Sequence, residues 1–163
     1  MGTLETQQVL AQPVSFPIER PVVSWQPGSS DPDSHAVSYR LKSRWSEAPK
    51  PTTVCFATNR GGFMLGGSCG PPKHPAQIAH DLLLAEVYLF IRDRHPELAK
   101  AWMGEADYED ESRGEKLPDA MIGRSADPAD VLMVIESGGA YDAPRVQAFH
   151  EFCKRKRFSY QIW

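Results

Sequence analysis

Residues 131–163, VLMVIESGGAYDAPRVQAFHEFCKRKRFSYQIW, decide the fold of this chain. The first five of them are apolar without alternation and lead to Glu136, which predicts a strand over 131–136 that is buried on both faces of a sheet. After two glycines, Asp142 and Pro144 are typical of the start of a helix, which we expect to run to about residue 157. The final six residues alternate as a second strand. A strand, a helix and a strand within this length predict a βαβ unit whose two strands are parallel.

The residues before this unit extend the pattern to a complete domain. Residues 76–94 predict a helix of about five turns that is buried nearly all round. Strands are predicted near residues 102–105 and at 116–122. From residue 75 onward, the order is therefore helix, strand, strand, strand, helix, strand, which is an α/β (α+β) domain with a mixed sheet.

The first 74 residues differ from the rest of the chain in composition. Ten of the 14 prolines lie within the first 75 residues, so only short elements are expected there. We predict a flexible tail over 1–20 and a small β-rich module over 21–74, with a strand at 21–25, a helix at 35–45 capped by Ser34, and a hairpin at 53–65. A helix before a hairpin with Arg60 at its tip is compatible with a reduced winged-helix module that touches a phosphate backbone. An exposed arginine without a partner is the alternative.

Composition excludes several classes of protein. With 163 residues and a net charge of −3, the chain is not a histone-like binder that holds nucleic acid by bulk charge. Its three cysteines (Cys55, Cys69 and Cys153) cannot all pair, which favours reduced thiols in a cytoplasmic protein. The chain lacks a secretory signal pattern and a run of 18 apolar residues, so no membrane partner is expected.

Four acids in the second part of the chain are candidate metal ligands. Glu86 is the only charged residue between 82 and 91, and a buried carboxylate needs a cation, a partner or a proton unless it reaches the surface. Glu105, Asp119 and Glu136 lie on or at the ends of the three predicted strands. Carboxylates from separate strands can hold Mg²⁺, which polarises a phosphodiester and supplies hydroxide to attack it.

The αβββαβ order, with Pro118-Asp119 and then Glu136 after an apolar strand, resembles the PD-(D/E)XK nuclease superfamily and its restriction-endonuclease-like core. Within that superfamily, the chain looks most like the replication-relaxation family of bacterial plasmid and mobile-element proteins. The similarity covers about residues 75–163 and, more weakly, 34–67. The motifs that carry it are His80-Asp81-Leu82, Leu117-Pro118-Asp119-Ala120 and Ile135-Glu136.

The resemblance implies roles for individual residues. Asp119 and Glu136 would be metal-binding acids, and Glu86 would match the carboxylate of the first helix, with Glu105 as a further possible ligand. The motif has lysine two positions after the second acid, whereas this chain has Gly138. Arg145 could reach the same space, although a guanidinium stabilises negative charge and is a poor base.

Three residues are candidate DNA contacts, each with an ordinary structural alternative. His80 would contact phosphate, or it caps or hydrogen-bonds within the core. Lys154 begins a run of four basic residues that would dock on phosphates, or it belongs to a solvated helix end. Arg60 is the third.

Two functions follow for this DNA-associated protein. The first is Mg²⁺-dependent phosphodiester hydrolysis. The second is a catalytically inactive nuclease-fold remnant that serves as a DNA-binding or protein-interaction module in replication or mobile-element maintenance. A third, weaker hypothesis is a zinc-dependent regulator that uses Cys55, Cys69, His74 and His80. The hydrolytic hypothesis requires the carboxylates of Asp119 and Glu136 to converge, and it fails if they face opposite sides or are closed off from solvent.

Overall fold

The computed structural model describes residues 4–11, 20–44, 48, 50–64, 75–105, 117–124 and 130–163. These residues form an α+β structure with two sheets. The strands are β1 (Leu4–Ala11), β2 (Val23–Trp25), β3 (Lys50–Ala57), β4 (Trp102–Gly104), β5 (Ala120–Gly123), β6 (Val131–Glu136) and β7 (Ser159–Ile162). The helices are α1 (Ser34–Ser43), α2 (Asn59–Met64), α3 (Pro75–Arg94), α4 (Pro96–Ala99) and α5 (Ala143–Lys156).

The main sheet has five strands in the order β2-β7-β6-β5-β4. β5 pairs antiparallel with both β4 and β6, and β2 pairs antiparallel with β7, whereas β6 and β7 are parallel and Val134 lies opposite Tyr160. Helix α5 connects these two parallel strands, so the predicted βαβ unit is confirmed. From α3 onward, the described elements follow the expected order, with the short helix α4 inserted before β4.

Helices cover the two faces of this sheet. Val134 of β6 lies in one buried cluster with Val37 and Leu41 of α1 and with residues of α5. Its neighbour Ile135 lies in a second buried cluster with Val87 of α3. Because successive side chains of a strand point to opposite faces, the sheet separates α1 and α5 from α3. The face toward which a side chain turns therefore decides which helix it meets.

Helix α3 is fully buried along one stripe only, so the prediction of nearly complete burial is wrong. Leu83, Val87 and Ile91 are buried at intervals of four residues, while Asp81 and Ala85 are exposed. The stripe packs on the main sheet and the helix also contacts β1, but its apolar residues outside the stripe remain partly exposed. Glu86 is half-buried, which agrees with the alternative that its carboxylate reaches the surface.

The N-terminal part departs most from the prediction. Residues 4–11, expected in a flexible tail, form β1, which pairs antiparallel with the whole of β3 from Leu4 opposite Ala57 to Ala11 opposite Lys50. The predicted hairpin over 53–65 is wrong, since residues 59–64 form helix α2. The Thr58 hydroxyl oxygen accepts a hydrogen bond from the Gly61 N–H at 3.1 Å, which caps this helix. The winged-helix interpretation therefore loses the hairpin on which it depended.

The segment predicted as a separate module is divided between the two sheets. Strand β2 forms an edge of the main sheet by pairing with β7, and α1 packs against α5. Strand β3 belongs to the small sheet with β1. Helix α1 is capped by Asp33 rather than Ser34, because the Asp33 carboxylate accepts hydrogen bonds from the N–H groups of His35 and Ala36.

Two further findings concern helices. Asp142 caps α5 as predicted, accepting a hydrogen bond from the Arg145 N–H at 2.9 Å. Among the described residues, no helix combines the length and apolar character needed to cross a bilayer.

Candidate functional site

Asp119 and Glu136 lie at the same edge of the main sheet. Asp119 directly precedes β5, Glu136 ends β6, and the neighbouring pair Ala120 and Ile135 are opposite each other in the antiparallel register. The carboxylate of Asp119 accepts a hydrogen bond from the Ser137 N–H at 2.6 Å. The structure thus brings the two acids to adjacent positions, as the sequence predicts.

Their carboxylates nevertheless differ in partners and in exposure, although burial and the charges of both raise the pKa of the Tyr141 hydroxyl. Asp119 Oδ1 lies 3.1 Å from Nε2 of His80 on α3. Glu136 has no exposed surface, and its carboxylate accepts a hydrogen bond from the hydroxyl of Tyr141, which belongs to the cluster beneath α1 and α5. The two carboxylates therefore do not converge on one solvent-accessible point.

His80 is clamped between two aspartates. Its Nδ1 lies 3.1 Å from Asp81 Oδ1, while its Nε2 faces Asp119. Hydrogen bonds to Asp119 and Asp81 raise the pKa of His80 to about 10, against the opposing effect of partial burial. His80 is therefore an imidazolium at neutral pH, and Asp119 already has a cationic partner from its own chain.

A groove of about 370 Å³ opens above this histidine. Its lining contains Gln77, His80, Asp81, Leu84, Ala85, Tyr88, Trp102, Gly104, Glu105 and Asp119. Glu105 and Asp119 thus share one groove, whereas Glu86 and Glu136 are absent from its lining. Trp102 packs edge-on against Tyr88 with ring centroids 5.5 Å apart, as expected for a packing residue.

Tyr141 separates Glu136 from solvent. Burial, followed by the charge of Glu136, raises the pKa of the Tyr141 hydroxyl, so it remains a donor at all physiological pH values. The Arg145 guanidinium stacks over the Tyr141 ring at 4.0 Å from its centroid. Arg145 therefore lies next to the partner of Glu136. Tyr141 was not identified from the sequence, and its position after the glycine turn that follows β6 is the signal that could have found it.

Gly138, where the nuclease motif has lysine, faces the core. A Cβ atom there would lie 2.6 Å from Cγ2 of Ile162 and 2.6 Å from Cδ2 of Leu41. Both neighbours are fully buried, so neither side chain can move aside without disturbing the packing. The Gly138 N–H also donates a hydrogen bond to the Trp163 carbonyl oxygen at 2.9 Å.

This donor set does not fit a Mg²⁺ centre. Mg²⁺ requires near-octahedral oxygen ligands, and the oxygens of Asp119 are engaged by His80 and the Ser137 N–H. Glu136 has no exposed surface and accepts a hydrogen bond from the Tyr141 hydroxyl. Across the described ranges between residues 4 and 163, no group of three His, Cys, Asp or Glu side chains is placed to hold a metal ion.

The zinc hypothesis also lacks a gathered ligand set. Cys55 is exposed on β3, and both imidazole nitrogens of His80 face aspartates. Cys69 and His74 lie outside the described residues. Cys153 is buried in the core beneath α5.

The three candidate DNA contacts lie on separate helices. Arg60 is exposed on α2, and His80 lies on α3 between its two aspartates. Lys154 on α5 forms an ion pair with Asp31, with Nζ and Oδ2 2.7 Å apart. This hydrogen bond lowers the pKa of Asp31 and raises that of Lys154. The sequence did not identify Asp31 as the partner, because the two residues are far apart in the chain.

A second groove, of about 530 Å³, runs along α5 on the other face of the sheet. Its lining contains Leu117, Pro118, Arg145, Ala148, Phe149, Phe152 and Arg155. It combines an apolar floor with two guanidinium groups. We call it the α5 groove.

Comparison with known proteins gives no relative: no protein-family model, no curated protein and no solved structure matches this chain.

Proposed function

We propose that this protein is a nuclease-fold protein that associates with DNA and does not hydrolyse it. The observation that carries the proposal is the state of the two motif acids: Asp119 is bound to His80, and Glu136 is fully buried and accepts a hydrogen bond from Tyr141. A shared divalent ion would need both carboxylates on one side and accessible.

The order of elements supports the relationship to nucleases. Helix α3, strands β4, β5 and β6, helix α5 and strand β7 follow the αβββαβ order, and the four strands are neighbours in the sheet in chain order. Asp119 and Glu136 lie at adjacent ends of β5 and β6, which is consistent with the acid positions that the resemblance implies. We therefore propose that this is an altered nuclease site and not a site on an unrelated fold.

The chemistry around the site argues against hydrolysis. The position of the motif lysine is Gly138, which has no room for a side chain. Arg145 stacks on Tyr141, and a guanidinium does not release its proton at working pH. His80 is already protonated at neutral pH and lies between two carboxylates, so it cannot serve as a general base for water.

Association with DNA is supported by the placement of basic side chains. The chain as a whole carries a net charge of −3, so contact must be local. Arg155 and Arg157 are exposed at the C-terminal end of α5, and Arg145 is exposed at its start. One helix thus presents guanidinium groups that can pair with phosphates.

The proposal is tested by incubating supercoiled plasmid with the protein in Mg²⁺ or Mn²⁺. We expect no conversion to nicked or linear DNA, and the same result for Asp119→Asn and Glu136→Gln. Binding is measured in parallel by electrophoretic mobility shift at about 50 mM salt, where phosphate contacts are strongest.

The matched control is Asp93→Asn, which removes an exposed acid that pairs with Arg92 away from the site. Metal-dependent cleavage that persists in this control and disappears in both site variants would restore the hydrolytic function. The absence of any DNA binding at low salt would instead leave a protein-interaction module.

A further inference from the structure

The geometry points to the α5 groove as a binding site for single-stranded DNA, with one phosphate at each of Arg145 and Arg155 and a base against Phe152. This inference rests on the proposed association with DNA, and it specifies the site and the form of the nucleic acid.

The two arginines lie on one face of α5. Residues 145, 148, 149, 152 and 155 recur at helical intervals of three and four and all line the groove. With a rise of about 1.5 Å per residue, the ten residues from Arg145 to Arg155 span about 15 Å. This is long enough for a short stretch of a single strand to lie between the two cations.

The guanidinium groups are available to an anion. Within the part of the chain that the structure describes, neither Arg145 nor Arg155 forms an ion pair with a carboxylate. The neighbouring Lys154 differs, because Asp31 holds its ammonium at 2.7 Å. A guanidinium presents paired N–H donors that match the oxygens of a phosphate, which favours a phosphate ligand.

The floor between the arginines is apolar and contains an accessible aromatic ring. Phe152 is half-buried, and its ring packs edge-on against Phe158 with centroids 6.4 Å apart, which fixes its orientation. Leu117 and Pro118 complete the opposite wall. Stacking of unpaired bases on aromatic rings between phosphate contacts is how proteins bind single strands without sequence preference.

A concave groove of this kind disfavours a duplex, because paired bases are hidden inside the helix and cannot reach Phe152. The other face of the molecule disfavours any nucleic acid, because Asp81, Glu105 and Asp119 line the groove there. Repulsion from that acidic groove confines a phosphate chain to the α5 side. An acidic peptide shares the negative charge but lacks the bases that would use the aromatic floor.

The test is fluorescence anisotropy with a labelled 12-nucleotide oligothymidine, a duplex of equal length and a labelled oligoglutamate peptide, across a series of salt concentrations. The variants are Arg145→Gln, Arg155→Gln, the double variant and Phe152→Leu. Arg92→Gln on α3 is the charge-matched control, since its side chain is exposed on the far side of the sheet. Circular dichroism and thermal melting confirm that each variant is folded.

We expect oligothymidine to bind more tightly than the duplex or the peptide. Each arginine substitution should weaken binding and reduce the slope of log K against log salt by about 0.7, the value for one phosphate contact on a single strand. Phe152→Leu should weaken binding about tenfold without changing the slope, since it removes stacking but no charge. Arg92→Gln should bind like the parent protein.

Other outcomes separate this inference from the proposed function. Unchanged binding by the double variant would refute the α5 groove while leaving DNA association intact. Tighter binding of the duplex, or loss of peptide binding alone in the double variant, would overturn the single-strand assignment. If the parent protein binds none of the nucleic acids, the proposed function itself fails.

Discussion

The residue at position 138 controls what the end of β6 can hold. A side chain there would enter the space filled by Leu41 and Ile162, both fully buried. Adding atoms to a packed core forces displaced side chains, which costs about 1–3 kcal/mol. The lysine of the nuclease motif would in addition place an ammonium among apolar groups.

Substituting Gly138 tests this reading directly. We expect Gly138→Ala to lower the free energy of unfolding by about 1–3 kcal/mol, and Gly138→Lys by about 3 kcal/mol or more. The measurement is urea denaturation followed by circular dichroism. Ala140→Lys, at a nearby exposed position, should change stability by no more than about 0.5 kcal/mol. A stable Gly138→Lys protein would show that the end of β6 can accept the motif lysine.

His80 is the second residue with a measurable signature. Its ordinary pKa of 6.5 rises to about 10 in the folded protein through Asp119 and Asp81. Between these values, the folded state binds a proton that the unfolded state lacks. The stabilisation is therefore complete below about pH 6.5 and is lost as the pH rises through 10.

Stability measured from pH 6 to pH 10 should accordingly fall more steeply for the parent protein than for His80→Gln. The reason is that glutamine has no proton to lose in this window. Urea midpoints at each pH provide the comparison, with His95→Gln, an exposed histidine on the surface, as the control. Parallel pH profiles for the parent and His80→Gln would mean that His80, between Asp119 and Asp81, does not hold an extra proton in the folded state.

At the scale of elements, α5 is defined by local signals at both ends. Asp142 caps its first turn, and Arg157 ends it in the left-handed conformation with φ of 60°. Basic residues in the last turn oppose the negative end of the helix dipole. Because these signals are encoded within a few residues, this helix was predicted with nearly its observed bounds.

Removing the cap should loosen the helix that carries the α5 groove. We expect Asp142→Ala to cost about 0.5–2 kcal/mol, because the Arg145 N–H loses its acceptor. Thermal melting gives the change, and Asp142→Ser should recover most of the lost stability since serine also caps. Equal losses for alanine and serine would exclude capping as the role of Asp142.

At the scale of the whole molecule, the two sheets differ in their number of strands and in how far their residues are buried. The strands β5, β6 and β7 lie in the interior of the five-stranded sheet; β5 and β6 contribute to buried clusters on both faces, and β7 contributes to the cluster beneath α1 and α5. Among the described residues, the sheet of β1 and β3 has two strands and contacts α3 through β1, and Cys55 and Leu4 within it are exposed. Two-stranded sheets are marginally stable on their own.

Hydrogen exchange should report this difference. Backbone amides of β6 and β7 are expected to exchange only through global unfolding, whereas those of β1 and β3 exchange through local opening at a lower free energy. Mass spectrometry of peptides that cover each strand measures both. Protection in β1 equal to that in β6 would contradict the expected order.

The sequence by itself determined the elements whose signals are local: the apolar run of β6, the capped helix α5, the long helix α3 and the parallel pairing that a short crossover imposes. It also placed Asp119 and Glu136 at one sheet edge, since strand ends follow from strand bounds. Only the tertiary structure decided the pairing of β1 with β3, the His80 clamp, the enclosure of Glu136 by Tyr141 and the closed space at Gly138. These depend on residues distant in the chain, and neither periodicity nor motif spacing records toward which face a terminal side chain turns.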